Sequence, residues 1–493
     1  MRDPLRARRQ MAVVLQHAAA ETLLTVRDNL LIYAHLHGIG ARVARARMRK
    51  VAEEFDLAGR LNETVQDLSI GTKRRIQVAK IFMLDTPLII LDEATTGMDP
   101  VMKRKVMDRI RAAAAHGCTV LLTTQVLSEA EQLCDTIIII SRGAYAGFRH
   151  PAGAAQALRA DVSREPVVRG SRRRSGASHR GARTRGSEGQ RTECRYAVSR
   201  RRGVVAGKAR GDLARRANRA FRDSRPEPGG DIRGAAGEGA MNGIAAVFYR
   251  DYRQRITNIG FVFWDLFVPL AYLVLFGLGF ERAFGGGFAV GGQAIDYTAF
   301  LLPGVIAMIT FTVALNTSWG FFMDKDSGIF YELLTYPITR RQLLIGKICF
   351  NVVLSVIAAA LTIALAATVM NVQVRWTRLP LTAAAILVTT AGWFFLFSVF
   401  AIRLKRMDSF NTVTSAAYII LMFFSTLFYP IADLPGWFRA TAHLNPMTWQ
   451  VDLLRFGLLD IGDPAIIALE AAAFCVFTVI CLTAAMRALD AVT

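Results

Sequence analysis

Leu88-Ile-Ile-Leu-Asp-Glu-Ala-Thr-Thr-Gly-Met-Asp-Pro100 reads as a short apolar run that ends in two consecutive carboxylates and then turns. A buried strand with Asp-Glu at its end can set Asp92 on a Mg²⁺-bound water and Glu93 beside an attacking water. By itself that pattern is common, since many strands end at a capped helix. Here it follows Leu68-Ser-Ile-Gly-Thr72 and precedes Gly97-Met-Asp-Pro100, and the three together are specific.

Working outward, the runs 87–91, 119–123 and 136–140 have the length and β-branching of buried parallel strands. Helical stretches over 101–115 and 128–134 alternate with them, so residues 1–160 are expected to form a soluble α/β domain. Residues 161–240 differ in kind. Arg, Gly, Ala and Ser dominate, no hydrophobic period is present, and a basic disordered linker is expected. Such a composition is also what a GC-rich gene yields when read out of frame. With Tyr196 and Phe221 as its only aromatics, the linker offers little for base stacking, which argues against a nucleic-acid partner.

From Met241 the chain reads as a membrane protein. Apolar runs near 259–280, 299–322, 345–370, 380–402, 412–430 and 464–486 are each of bilayer-crossing length, giving an all-α polytopic domain of six spans over 257–493. Arg250, Arg253 and Arg255 precede the first run. Lys325, Arg340, Arg341 and Lys347 separate the second from the third, and Arg403, Lys405 and Arg406 the fourth from the fifth. The alternate loops carry fewer cations, so both permease ends are expected on the cytoplasmic side of the cell's inner (plasma) membrane. Residues 241–256, basic with Phe248, Tyr249 and Tyr252, read as an amphipathic helix on the inner leaflet. Asp265 is an ionisable group within a span and is a candidate for the substrate path or for pairing with Arg255.

The 493 residues include 53% hydrophobic ones, with mean hydropathy +0.31 and a net charge of +21 that lies mostly before Met241. That split separates a cytosolic part from a membrane part. The six cysteines form no CxxC pair, so neither a disulfide framework nor a zinc site is indicated. His17, His35, His37 and His116 show no ligand spacing.

Residues 5 to about 155 resemble the ATP-binding domain of ABC transporters. The resemblance implies a P-loop α/β fold with ATP and Mg²⁺ as cofactors. Ser69 and Gly71 match the signature residues that meet the γ-phosphate across a dimer. Asp92 matches the Walker B aspartate, which holds Mg²⁺ through water, and Glu93 the catalytic glutamate. Asp99 matches the D-loop, Gln16 the Q-loop glutamine, and Gln125 the switch position, where Gln is familiar in daunorubicin-resistance ATPases. The family's Gly-Lys-Ser/Thr phosphate loop should stand before Gln16, and only Met1–Leu15 remain there, so the fold class is an incomplete ABC ATPase without Walker A. No ATPase activity is expected from this chain alone.

Met241 onward resembles ABC type-2 permeases, the six-span exporter class. In that class, 326–347 would be the cytoplasmic coupling segment, with Glu332, Arg340 and Arg341 as its polar contacts to the ATPase. The Pro, Gly and Trp of 429–439 and 445–449 resemble the broken helices that cap the outer face. The combined expectation is ATP-driven export of a hydrophobic or amphiphilic, drug-like compound. Its partners would be a second permease half, forming a homodimer, or a complete ATPase chain. Export of a lipid-linked saccharide and an inactive, frame-disrupted relic are the alternatives.

Overall fold

The computed structural model describes residues 3–16, 20–141, 144–149, 195–198, 241–284, 288–290, 293–431 and 434–491. The chain divides into two compact units. The first takes 1–18, 49–59 and 68–235, and the second takes 19–48, 60–67 and 236–493.

In the first unit, α1 (Pro4–Arg9) leads into β1 (Met11–Val14). Strand β2 (Leu88–Asp92) lies parallel between β1 and β3 (Thr119–Thr124). Strands β4 (Ile137–Ser141) and β5 (Ala144–Arg149) form an antiparallel pair. Of the expected linker only Arg195–Val198 is described. It forms β6, antiparallel to β3 on one side and β4 on the other, so the sheet order is β1-β2-β3-β6-β4-β5. Ile89 and Leu91 are buried on one face of β2, which suits a strand covered by helices. The helices α4 (Ile70–Ile81), α5 (Pro100–Ala115) and α6 (Leu127–Leu133) complete this unit. Local chemistry sets their starts. The Ser69 hydroxyl caps α4 through the Thr72 N–H, and Asp99 caps α5 through the Met102 N–H with Pro100 at N1.

The second unit holds α2 (Val26–Leu36), the first half of α3 (Ala41–Glu54), and a helical membrane domain. Helix α7 (Gly243–Thr257) precedes α8 (Ile259–Phe284), and a small hairpin of β7 (Phe288–Val290) and β8 (Gln293–Ile295) follows. Next come α9 (Tyr297–Asp326), the short α10 (Ile329–Leu333), α11 (Arg340–Val369), α12 (Leu379–Arg403), α13 (Met407–Phe423), α14 (Gly436–Leu444), α15 (Pro446–Leu459) and α16 (Pro464–Asp490). Helix α9 is the buried centre, packed by α8, α11, α12 and α15. A capping box between Thr339 and Gln342 starts α11.

Five helices among the described residues are long and apolar enough to cross a membrane, within 259–277, 297–326, 340–369, 376–403 and 464–490. The remaining expected span is α13, which has 17 residues. At 1.5 Å per residue that is about 25 Å, short of a hydrocarbon core of about 30 Å. Helix α13 stops where Ser425 turns its hydroxyl onto the Met422 carbonyl (2.7 Å) and accepts the Leu427 N–H (3.3 Å). Local hydroxyl bonds of this kind compete with the helix ladder. Beyond it, Asn445 joins α14 to α15: its Oδ1 accepts from Met447 N, while Nδ2 donates to the carbonyls of Leu421 and Phe424. Helix α15 then sends Gln450 into the apolar centre. There Gln450 accepts from Trp393 Nε1 (2.6 Å) and donates to the hydroxyls of Thr310 and Thr389. The Gln450 amide thus finds three protein partners within the apolar centre.

Candidate functional site

The carboxyl end of β2 carries the expected pair. Asp92 ends the strand and accepts a hydrogen bond from the Thr123 hydroxyl on β3. Glu93 sits at φ 49°, a left-handed backbone that few non-glycine residues adopt and that costs of order 1–3 kcal/mol. Its N–H donates to Thr123 O (3.0 Å), and Gln125 Nε2 donates to its Oε1 at 2.7 Å. Glu93 and Gln125 are thus in direct contact at the ends of adjacent strands.

Gly71, the second residue of α4, comes close to the turn that follows β2. A Cβ there would stand 3.3 Å from the Gly97 carbonyl. Asp99 does two jobs: Oδ1 caps α5, and Oδ2 pairs with Arg75 at 3.3 Å. The Met102 N–H, seconded by the Arg75 guanidinium, holds the Asp99 carboxyl below the ordinary range. Ile70 stays 80% exposed beside Ser69, leaving the signature face open.

Arg74 was not singled out by sequence. Its buried guanidinium donates to the carbonyls of Gln16 (3.2 Å), Leu15, Asp92, Glu93 and Ala94, and to Gln77 Oε1 (2.8 Å). Burial lowers its pKa, and the charges of Glu93 and Asp92 work against that shift. One side chain therefore ties the Gln16 backbone to the Asp92–Glu93 turn. Three adjacent basic residues, Lys73, Arg74 and Arg75, were the only signal, and helical phase alone does not say which of them is buried.

The second unit contains a different constellation. Helix α7 is expected to lie on the leaflet, yet its Arg250 is fully buried. Arg250 donates to Glu21 (2.7 and 2.8 Å), to Asp324 (2.6 and 3.0 Å) and to Asp251 (3.2 Å). Lys347 on α11 completes the cluster with Asp251 (3.3 Å) and Asp324 (3.2 Å). One turn on, Arg253 pairs with Asp28 of α2 through two bonds of 3.0 Å. A buried ionic group is tolerated only when partnered in this way.

The segment expected from sequence to couple the two parts packs here too, with Glu332 and Tyr336 buried. Tyr336 sets its ring edge-on to Tyr33 (5.2 Å) and against His37 (5.0 Å). Glu332 is buried and accepts from the Tyr336 hydroxyl (2.6 Å). Arg340 pairs with Asp490 at the end of α16 (3.0 Å), and Arg341 is exposed. Both lie in the first turn of α11, beyond the turn that carries Tyr336. Asp265 is buried, with Arg255 at 3.3 Å and Asn316 donating to it.

ATP and Mg²⁺ can be tested against these residues. Among the described residues no group of three or more His, Cys, Asp or Glu side chains could hold a metal ion. No Gly-Lys-Ser/Thr occurs anywhere in the sequence. The residues present fit one side of a nucleotide, the signature and catalytic-carboxylate side, and do not fit a nucleotide held by this chain alone.

Residues 2–96 match the family model described as ABC transporter, and residues 242–459 match that described as ABC-2 type transporter. The daunorubicin resistance ATP-binding protein DrrA3 of Streptomyces coeruleorubidus is 41% identical over 143 residues, 29% of this chain and 45% of that protein. The Nod factor export ATP-binding protein I of Rhizobium etli is 37% identical over 137 residues, 28% of this chain and 43% of that protein. The chain thus spans less than half the length of these curated relatives. A solved structure of an ATP-binding subunit of an ABC transporter aligns at 27% identity and a TM-score of 0.29, over 32% of this chain and 65% of that one. On its two matched stretches, the chain belongs to the ABC transporters, with an ATP-binding segment and an ABC-2 type membrane domain in one polypeptide.

Proposed function

We propose that this chain is the permease of an ABC exporter that moves a hydrophobic or amphiphilic, drug-like compound outward across the inner membrane. The carrying observation is the buried Arg250 cluster. It holds Glu21 and, one helical turn on, Asp28 against helices α7, α9 and α11 of the membrane domain. Glu21 lies five residues after Gln16, the family's Q-loop position, so this segment would sense nucleotide. Rigid charge-paired contacts of this sort can pass a movement of α2 to the spans.

The exposed signature face supports assembly with a second chain. A homodimer of this polypeptide would bring Ser69, Gly71, Asp92 and Glu93 twice and a phosphate loop at neither site. An intact ATPase chain could supply that loop to one composite site. Efflux from cells producing this chain together with an intact ABC ATPase tests the reading. A fluorescent amphiphile should be retained less than in cells with either chain alone. Equal retention in all three would sink it.

A further inference from the structure

Helices α7, α8, α9, α11 and α13, with Leu23, line a partly open pocket of about 320 Å³ at the end of the spans that carries Arg255, Lys325 and Lys347. That volume lies at the lower end of small-molecule sites. Phe261, Trp319, Phe350 and Phe410 make its apolar walls.

The charged groups on the wall are already matched. Arg255 pairs with Asp265 (3.3 Å), Lys347 with Asp251 and Asp324 (3.3 and 3.2 Å), and Asp251 also with Arg250 (3.2 Å). An ionic ligand would meet no unpaired counter-ion and would pay its desolvation uncompensated. The neutral groups offer both acceptors and donors. Thr317 and Thr414 give their hydroxyl hydrogens to the carbonyls of Val313 (2.9 Å) and Phe410 (2.8 Å). Gln254 and Asn316 each commit one amide N–H, to Glu21 (3.0 Å) and Asp265, which leaves each an amide oxygen and a second N–H. A fitting ligand both donates and accepts hydrogen bonds, carries no charge, and has an apolar body for the aromatic walls.

We propose that this cavity binds the uncharged, hydroxyl-rich head of an amphiphile taken from the cytoplasmic leaflet. The inference rests on the exporter reading, because it names the class of compound that would be exported. Photolabelling of the full chain in nanodiscs tests it, using a diazirine-bearing dodecyl glucoside and matched dodecyl trimethylammonium and dodecyl sulfate probes. The glucoside should label segments 315–320 and 410–415 at least tenfold more than either ionic probe, with competition by unlabelled alkyl glucoside and not by free glucose.

Gly320 lines the cavity, and nothing lies within 4 Å of a Cβ built there, so a side chain has room without disturbing the fold. Gly320→Leu should cut labelling about tenfold, while Gly320→Ala should retain most of it. Equal labelling by all three probes, competition by free glucose, or full labelling of Gly320→Leu would overturn the proposal. The assay needs neither nucleotide nor transport. Labelling lost while export persists sinks the cavity alone, and labelling intact without export sinks the exporter reading alone.

Discussion

Arg250 and Glu21 lie 229 positions apart in sequence and meet through Nε bonds of 2.7 and 2.8 Å, with the guanidinium wholly shielded from solvent. Removing the cation leaves Glu21, Asp251 and Asp324 buried with Lys347 as the remaining cation of the cluster. Arg250→Met should therefore lower stability by roughly 3–5 kcal/mol, the usual cost of breaking a buried pair from one side. Glu21→Gln should cost less, since Arg250 keeps two carboxylates. Thermal unfolding in detergent ranks the two, and an equal or reversed order would contradict the cluster.

Gly346 on α11 is where α7 approaches most closely. A Cβ there would fall 2.6 Å from Val247 Cβ and 2.9 Å from the Ile244 carbonyl. Gly346→Ala should push α7 outward and cost about 1–3 kcal/mol, as overpacking does, although alanine is the better helix former. Increased hydrogen exchange confined to 243–257 is the expected signature. A neutral or stabilising result would mean that the helices do not meet there.

His35 is buried on α2, with Nδ1 against the Ile39 carbonyl (3.1 Å) and its ring 5.9 Å from Tyr249. Burial lowers its pKa, and Arg45 adds to the shift. A depressed folded value means the neutral ring favours the fold above the ordinary pKa of about 6.5, and that contribution is lost as pH falls through it. Unfolding temperature should thus drop between pH 7.5 and 5.5 by more in the parent than in His35→Gln. Identical slopes would show that His35 takes no part.

Glu93 and Gln125 are in contact, yet phosphoryl transfer depends on positioning that a phosphate loop supplies. The purified 493-residue polypeptide should show only background ATP hydrolysis, unchanged by Glu93→Gln. Activity that vanishes in that variant would show that the loop is dispensable.

Orientation can be read by thiol labelling after replacing the exposed Cys349 and Cys475. Trp376→Cys, at a position 59% exposed between α11 and α12, should react with an impermeant reagent from outside intact cells. Arg406→Cys, between α12 and α13, should react only after permeabilisation. The opposite pattern would invert the topology.

Much of this protein is decided within a few residues of chain. Apolar length produced five membrane-length helices close to the positions expected, and α13 falls short of the sixth. The Ser69 and Asp99 caps are local, because the N–H groups they satisfy, those of Thr72 and Met102, lie three residues on, whereas Asp92 and Glu93 find their partners on the neighbouring strand. Only the tertiary structure decided which cations are buried. Arg250, Arg253 and Arg255 look alike in sequence, and each found a different carboxylate: Glu21, Asp28 and Asp265. Arg340 took Asp490, 150 positions away, and α7 turned its charged face inward. Hydropathy and capping act over one turn of chain and can be read in order. Charge pairing acts through space among many equivalent partners, so packing chooses between them.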